Sequence, residues 1–159
     1  MLLKTKRLAL RELREEDEEA LARYQGDRRY LEHYVQLPDA RAIVASAMSW
    51  AKQSPRQNYQ LAIAWSEPSP AVGCIGLRCL GQASGTAEFG CELDPALWGR
   101  GLAHEASSAL LDFGFGDLSL IRVVASTAAG NRRVHALLTK LRFAPEGETD
   151  RVLWSRTRA

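Results

Sequence analysis

Three consecutive strand-like segments in the middle of this chain constrain its fold more than any other feature. They run from Tyr59 to Trp65, from Ala71 to Leu80 and from Ala87 to Leu93. Each is rich in apolar residues, and a short connection rich in Gly, Pro and Ser separates it from the next. Because connections of this length join antiparallel strands, we predict an antiparallel meander at the centre of the protein.

Helical and strand-like patterns alternate on both sides of this meander, in the order β-α-α-β-β-β-α-β-α-β, and Phe143 to Glu146 is a candidate for one further strand. The outer segments are a strand from Arg7 to Arg11, a helix capped by Asp17, a helix that starts at Leu37 to Asp39, a helix from Gly101 to Phe115, a strand from Ile121 to Ser126, a helix that starts at Gly130 and Asn131, and a strand from Arg151 to Arg156. A strand–helix–strand unit after hairpins predicts an α/β protein with a mixed sheet, which is neither a Rossmann domain nor a barrel.

Composition narrows the class of protein. With 159 residues, of which 46% are hydrophobic and 25% charged, the chain has the size and apolar content of a single folded domain, predicted to span residues 1–159. Its net charge of +2 does not indicate a nucleic-acid-binding protein.

No apolar run approaches the roughly 20 residues that span a bilayer, and no signal-peptide pattern follows Met1, so we predict a cytoplasmic protein without membrane contact. The three Cys residues form no CxxC pair, which argues against a disulfide framework or a structural zinc site.

A Gly-Arg-Gly turn at residues 99–101 precedes the predicted helix from Gly101 to Phe115. Glycines let backbone N–H groups approach a ligand closely, and the N–H groups in the first turn of a helix have no partner within the helix. Together with the positive end of the helix dipole, they predict an anion site suited to phosphate groups, with a plain helix start as the structural alternative. The turn is not a Walker A loop, because the GK[ST] ending is missing, and it is not a Rossmann fingerprint, because hairpins precede it.

The segment from Pro95 to Ala106 resembles the acetyl-CoA-binding motif of the GNAT N-acetyltransferases, and most closely that of the branch with the RimJ/RimL ribosomal-protein acetyltransferases. Three further segments are similar to that branch, in the same order along the chain. Thr5 to Asp17 is similar to its first strand and helix start, Ala87 to Pro95 to its fourth strand, and Asn131 to Phe143 to its Asn-xx-Ser…Lys-Leu-Gly-Phe segment. The resemblance therefore covers essentially the whole chain.

This resemblance implies the GNAT fold, a mixed and mostly antiparallel sheet of six to seven strands flanked by about four helices. The fourth and fifth strands, here Ala87 to Leu93 and Ile121 to Ser126, splay apart, and the pantetheine arm of acetyl-CoA lies in the gap. Acetyl-CoA is then the co-substrate, and no metal is implied. The residues implied to bind acetyl-CoA are Leu93, Trp98, Gly99, Arg100, Gly101, Leu102, Ala103, Asn131, Arg132 and Arg133.

Acyl transfer from a thioester to an amine needs a group that accepts a proton from the amine and a donor for the carbonyl oxygen. A backbone N–H near Leu93 in the splayed strand is the candidate donor. Glu92 and Glu88 lie four residues apart on a strand, so they face the same side, which Gly90 leaves open between them. We predict Glu92 as the catalytic base and Glu88 as the second candidate, with an ordinary solvated strand face as the alternative.

The resemblance further implies that Tyr30, His33 and Tyr34, between the first two predicted helices, line the acceptor site. The proton donor for the leaving thiolate is unassigned, since no Tyr follows Tyr59. His135 is one candidate for that donor, and departure of the thiolate into solvent is another.

Three further positions, Cys91, Val134 and Arg142, bear on whether and how the chain is catalytic. Cys91 has no neighbouring base or cation that would lower its pKa, so we predict that it is a core residue and not a nucleophile. The chain also departs from the family pattern at Val134, where the family has Ser, and at Arg142, where it has Gly.

The sequence therefore predicts an N-acetyltransferase that moves the acetyl group of acetyl-CoA to a primary amine by direct attack, with a homodimer as a further expectation. The acceptor is a protein N-terminal α-amine or a small amine such as an aminoglycoside, a polyamine or an amino acid. Val134 and Arg142 motivate an alternative, a non-catalytic acyl-CoA-binding or regulatory module of the same fold. A nucleotide-binding regulator fits the glycine turn but not the order of the hairpins.

Overall fold

A computed structural model describes residues 1–34, 38–79 and 81–159 of the protein. These residues form one eight-stranded sheet, five α-helices and a 3₁₀ turn at Pro95–Leu97. The strands are β1 (Leu2–Lys4), β2 (Ala9–Glu12), β3 (Asn58–Ala64), β4 (Ala71–Arg78), β5 (Thr86–Leu93), β6 (Arg122–Ala128), β7 (Ala144–Glu148) and β8 (Arg151–Thr157), and the helices are α1 (Asp17–Gln25), α2 (Arg28–Leu31), α3 (Ala40–Ala51), α4 (Leu102–Gly116) and α5 (Arg132–Lys140). Leu37, in a predicted helix start, and Leu80, at a predicted strand end, lie outside the described residues. None of the described helices is long and apolar enough to cross a membrane.

The strands follow the order β1-β2-β3-β4-β5-β6-β8-β7, in which β5 and β6 are parallel and the other neighbouring pairs are antiparallel. The predicted meander is confirmed as β3, β4 and β5, and the strand–helix–strand unit as β5, α4 and β6. The sheet has eight strands where six to seven were predicted. With three residues in β1 and four in α2, these two elements are too short to show a period in the sequence. The further strand expected near residues 143–146 is β7.

Each face of the sheet packs against different helices. On one face, α4 buries Leu102, Ala106 and Leu110 against apolar residues of β3, β4 and β5. On the other face, α1, α2 and α3 form a smaller core around Leu21 and Val44. Because side chains alternate along a strand, the residues of β5 divide between the two faces. The larger core takes Phe89 and Leu93, whereas Glu88, Gly90 and Glu92 face the side of α1 to α3.

The predicted cap at Asp17 is wrong, because Asp17 is a buried ion-pair partner inside the first turn of α1. The residue at the cap position is Glu16, which makes no capping hydrogen bond with its side chain. The Asp17 carboxylate accepts hydrogen bonds from both terminal nitrogens of Arg11, at 2.7 and 2.9 Å, and from the backbone N–H groups of Arg14 and Ala71. Asp39, by contrast, caps α3 by accepting from the Ala42 N–H at 3.0 Å. The Asp17 contacts join β2, α1 and the start of β4.

The parallel pair at the centre of the sheet separates after a short contact. β5 and β6 are paired only from Thr86 to Glu88, opposite Arg122 to Val124, within the described chain. Beyond that point β6 continues beside β8 as far as Ala128, and β5 continues beside β4 to Leu93. The predicted splay of the two central strands is therefore confirmed, and it leaves a V-shaped gap in the sheet.

Arg142 occupies the turn between α5 and β7 with a φ of 66°, in the left-handed region that favours glycine. Its side chain is exposed, so it displaces no core residue. The turn explains why a glycine suits this position, and the arginine here is accommodated at the cost of backbone strain.

Replacing Arg142 by glycine is expected to stabilise the protein by about 1 kcal/mol. A left-handed L-residue costs roughly 1–2 kcal/mol, which exceeds the extra entropy that glycine gives the unfolded chain. Denaturant unfolding of Arg142→Gly beside Arg142→Ala measures this, because alanine removes the same side chain and keeps the strain. Equal stability of the two variants would show that φ at this turn is not the cause.

Candidate active site

A cavity of about 760 Å³ opens where β5 and β6 diverge. Its walls come from α2 and the chain after it, α3, β5, β6 and α5. Among the residues that the sequence singled out, the cavity is lined by Glu88, Glu92, Cys91, Tyr30, His33, Tyr34, Asn131 and Val134. The predicted acceptor residues and the predicted carboxylates therefore meet in one space.

The Glu92 carboxylate is held by hydrogen bonds from four side chains. Its Oε1 accepts from the Tyr24 hydroxyl and the Gln25 amide, both at 2.7 Å, and from the Cys74 thiol at 3.2 Å. Its Oε2 accepts from the Tyr30 hydroxyl at 2.5 Å. A carboxylate oxygen carries two lone pairs, so Oε2 keeps room for a further donor from the cavity.

The groups around Glu92 stay in their neutral, hydrogen-donating forms. Burial, together with the nearby Glu92 charge, raises the pKa values of Tyr24 and Tyr30 well above the ordinary tyrosine value. Burial also raises the pKa of the Cys74 thiol. Tyr30 stacks on Tyr34, with ring centroids 4.4 Å apart and an angle of 10° between the rings. The carboxylate thus lies beside an aromatic wall, a combination that suits a cationic amine.

A chain of hydrogen bonds runs along the cavity floor from Glu92 to Glu88. The Gln60 amide donates to the Cys74 sulfur at 3.2 Å, and Arg78 Nη1 donates to Gln60 Oε1 at 3.2 Å. Arg78 Nη2 reaches Glu88 Oε1 at 3.1 Å. Glu88 is therefore engaged in an ion pair, whereas the hydrogen bonds described for Glu92 come from uncharged groups.

Two glycines opposite each other in the β4–β5 register make room for this floor. A Cβ on Gly76 would lie 2.2 Å from Gln60 Oε1 and 2.7 Å from the Tyr59 carbonyl oxygen. A Cβ on Gly90 would lie 3.1 Å from Arg78 Nη2. The Gln60 and Arg78 side chains therefore lie flat across the strands, which keeps the cavity open above them.

The edge of β5 beyond Glu88 carries unpaired backbone groups. Asp94 N–H donates to the Val72 carbonyl at 2.8 Å, which fixes the alternation of hydrogen-bonded pairs between β4 and β5. On that alternation, the N–H and C=O groups of Cys91 and Leu93 point away from β4, toward the gap. The Leu93 carbonyl accepts a hydrogen bond from the Trp98 indole N–H at 3.0 Å. The Leu93 N–H points toward the gap, as expected for the candidate donor to the carbonyl oxygen of the thioester.

The glycine turn before α4 has the geometry that its sequence predicts. Gly99 and Gly101 have φ values of 78° and 74°, which a side chain would disfavour, and α4 begins at Leu102. Within the described residues, the N–H groups from Gly101 to His104, and so those of Leu102 and Ala103, donate to no protein acceptor. The Arg100 side chain is exposed beside them.

Arg7 braces this turn, a role that sequence reasoning missed. Its Nη1 donates to the Arg100 carbonyl at 3.0 Å, and its Nε donates to Glu105 at 2.7 Å. Thr5 donates to the same Glu105 carboxylate at 2.6 Å. The connection between β1 and β2 therefore holds the first turn of α4 in place.

The start of α5 approaches the same turn from the other side of the gap. The Asn131 side chain caps α5 by accepting from the Val134 N–H at 3.3 Å. The Arg133 guanidinium lies 4.5 Å from the centre of the Trp98 ring, a cation–π contact. Arg132 is exposed beside it. The cationic residues assigned to the cofactor thus flank the Trp98 ring and the exposed helix start.

His135 is bound away from the cavity, whereas Cys91 packs against the core as the sequence predicts. His135 directs its ring nitrogen to Thr127 Oγ1 at 3.0 Å and the Ala128 carbonyl at 3.1 Å, and it packs against Trp154, outside the cavity lining. Cys91 packs against the larger core, and burial raises its pKa to about 12, so it is a thiol at neutral pH. In the described part of the chain, no cluster of His, Cys, Asp and Glu side chains could hold a metal ion.

Comparison with known proteins finds similarity to acetyltransferases over most of the chain. The sequence model described as "Acetyltransferase (GNAT) domain" matches residues 7–144. The chain is 30% identical over 155 residues to "Uncharacterized N-acetyltransferase YoaA" of Bacillus subtilis, covering 92% of this chain and 84% of that protein. It is 29% identical over 150 residues to "Uncharacterized N-acetyltransferase p20" of Bacillus licheniformis, covering 91% and 83%.

Solved structures share the fold across nearly the whole chain. An acetyltransferase from Agrobacterium tumefaciens superposes with a TM-score of 0.79 at 25% identity, covering 99% of this chain and 95% of that one. Mycobacterium smegmatis RimJ in complex with CoA-disulfide gives 0.76 at 20%, covering 99% and 86%. Spermidine N-acetyltransferase from Vibrio cholerae in complex with CoA and spermine gives 0.75 at 17%, covering 95% of each chain. Since these neighbours include a spermidine N-acetyltransferase as well as RimJ, the RimJ/RimL branch stays a prediction.

Proposed function

This chain belongs to the GNAT acetyltransferase family, and from that premise we propose that it transfers the acetyl group of acetyl-CoA to a primary amine bound at Glu92. The observation that carries the proposal is the position of the Glu92 carboxylate, in a cavity beside the unpaired edge of β5. Membership of the family supports N-acetyltransferase activity, and the acyl donor, the acceptor and the residue roles are further parts of the proposal.

The residues around the gap suit coenzyme A. Backbone N–H groups at the start of α4 are free to bind the pyrophosphate, with positive charge from Arg100, Arg132 and Arg133. The unpaired groups of Cys91 and Leu93 are able to bind the pantetheine arm as an added strand would. Asn131 contributes its amide N–H₂, since its oxygen caps α5. When bound, acetyl-CoA supplies an activated thioester, so no acyl-enzyme is needed.

Glu92 has the chemistry of a base for an amine. An ammonium group donates to Oε2, and loss of its proton to the carboxylate, directly or through water, leaves the neutral amine that attacks. The Leu93 N–H donates to the carbonyl oxygen as negative charge develops there. Glu88 is the second candidate, but its ion pair with Arg78 competes for the same carboxylate. As the tetrahedral intermediate collapses, the second amine proton and the thiolate both leave toward solvent, because His135 is bound to Thr127 and no other proton donor is assigned.

The acceptor class is a primary amine, either a protein N-terminal α-amine or a small amine. Tyr30, His33 and Tyr34 form the wall against which the acceptor would lie. The non-catalytic alternative loses part of its motivation, because Arg142 is an exposed turn residue that is not among the residues lining the cavity.

Acetyl-CoA is expected to raise the melting temperature of the protein and to be consumed when an acceptor is present. The protein is incubated with acetyl-CoA and a panel of amines, namely a peptide with a free N-terminal alanine, spermidine, an aminoglycoside and free amino acids, and free thiol is measured. A melting shift with no thiol release for any amine would favour the non-catalytic module. No shift and no release would contradict both functions.

A further inference from the structure

The end of β5 presents an asymmetric set of hydrogen-bonding groups to the gap. Both the N–H and the C=O of Leu93 point there, but the C=O is already occupied by the Trp98 indole N–H at 3.0 Å. The Trp98 indole N–H engages this carbonyl from the side of the gap, where an added strand would donate, so Leu93 offers an incoming molecule a free donor and an acceptor that is already engaged. Cys91, two residues earlier on the same edge, offers both a free donor and a free acceptor.

We propose that Trp98 fixes the register in which acetyl-CoA binds along β5, which makes it a positioning residue for acetyl transfer. This inference rests on the proposed use of acetyl-CoA. A thioester carbonyl accepts hydrogen bonds and donates none, so it fits opposite the Leu93 N–H. An amide of the pantetheine arm needs an acceptor for its own N–H, and the Trp98 indole occupies the gap side of the Leu93 carbonyl, where that N–H would bind. The amides are thereby confined to Cys91 and earlier residues, and the thioester carbonyl is placed at Leu93.

The contacts of Trp98 explain how one side chain can hold this position. The ring is half-buried against the larger core, and the Arg133 guanidinium lies 4.5 Å from its centre. The turn at Pro95–Leu97 brings the ring back toward the end of β5, and Gly99, with a φ of 78°, lets the chain leave immediately for α4. The same residue thus contacts the strand edge, the phosphate-binding turn and α5.

Changing Trp98 to phenylalanine tests the proposal, because it keeps an aromatic ring for the core and for Arg133 but removes the N–H donor together with the second ring of the indole. We expect kcat to fall about tenfold or more, the rate equivalent of one lost hydrogen bond, while the KM for acetyl-CoA changes little. Infrared spectra of bound ¹³C-carbonyl acetyl-CoA, without acceptor, should show the carbonyl stretch at a higher frequency in the variant. That shift reports weaker polarisation at Leu93, which a merely structural role of the ring would not produce.

Two further variants keep the test decisive. Trp65→Phe, at an exposed position after β3, is the matched control and should behave like the unchanged protein. If Trp98→Phe folds poorly, site-specific β-(3-benzothienyl)alanine at position 98 keeps the bicyclic ring and replaces the N–H by sulfur. Unchanged kcat, or a lower kcat with the carbonyl stretch of the unchanged protein, would overturn the role of Trp98. Failure of the unchanged protein to bind acetyl-CoA would instead contradict the proposed function.

Discussion

Replacing Glu92 by glutamine is expected to lower kcat/KM by about 10²-fold or more at neutral pH, the range in which general bases contribute. Glutamine keeps the shape of the side chain but cannot take a proton from the amine. Its N–H₂ group also meets the donors Tyr24, Gln25 and Tyr30, which had converged on two acceptor oxygens. Initial rates of thiol release across pH, with the melting temperature as a check on folding, measure the effect.

The loss should shrink as pH rises, because a larger fraction of the acceptor amine is then neutral without help. Glu88→Gln is the matched control, since Glu88 lies on the same face of β5 and is paired with Arg78. We expect the smaller loss for Glu88→Gln. A loss for Glu92→Gln that is the same at every pH would remove its role as base, and a larger loss for Glu88→Gln would transfer that role to Glu88.

Replacing Asp17 by asparagine is expected to destabilise the protein by about 3–5 kcal/mol, the usual cost of leaving one partner of a buried ion pair unpaired. Arg11 is 3% exposed and Asp17 is fully buried, so water cannot replace the lost partner. Denaturant unfolding at pH 7 measures the change. Asp27→Asn is the matched control, because Asp27 pairs with Arg29 at the surface and should shift the unfolding midpoint little. Similar losses in both variants would show that burial of the Arg11–Asp17 pair is not decisive.

The Arg11–Asp17 ion pair also predicts how the stability of the protein changes with pH. Burial alone would raise the pKa of Asp17, but the hydrogen bonds from Arg11 and the Arg14 N–H hold that pKa below its ordinary value. A carboxylate with a lowered folded-state pKa contributes stability above its unfolded pKa of roughly 3.9, and this contribution is lost as pH falls through the folded pKa. The stability difference between the unchanged protein and Asp17→Asn should therefore decrease below about pH 4. A difference that grows on acidification would contradict this sign.

Local periodicity was sufficient to predict the central part of the fold. The two-residue alternation along β5 already separates Phe89 and Leu93 from Glu88 and Glu92, and hairpin-length connections fix the antiparallel meander. Asp17 shows where such reasoning fails. An Asp before an apolar helix pattern is a good cap, but its partner Arg11 lies on the neighbouring strand, and no local pattern reveals that the two are buried together.

The candidate site was predictable in its strand residues and less so in its helix residues. Glu92 follows from its place on the strand that precedes the glycine turn. The donors Tyr24 and Gln25 come from α1, and no residue near them in the sequence indicates a buried carboxylate. No local pattern indicates the role of Arg7, because its contact with Glu105 joins residues 98 positions apart. Such contacts depend on how helices dock on the sheet, which composition and spacing do not specify.

The gap between β5 and β6 also bears on how this protein avoids association with other chains. A strand with unpaired N–H and C=O groups is a template for aggregation, and natural sheets protect their edges. The outer edges here follow that rule: β1 has three residues, and β7 is exposed along its length but carries Pro145, Glu146 and Glu148. The inner edge of β5 also has charged side chains, those of Glu88 and Glu92, but they face the cavity and leave the backbone groups of Cys91 and Leu93 on the gap side. It is protected instead by its position inside a cavity, where a flexible arm can enter and the edge strand of another folded protein cannot.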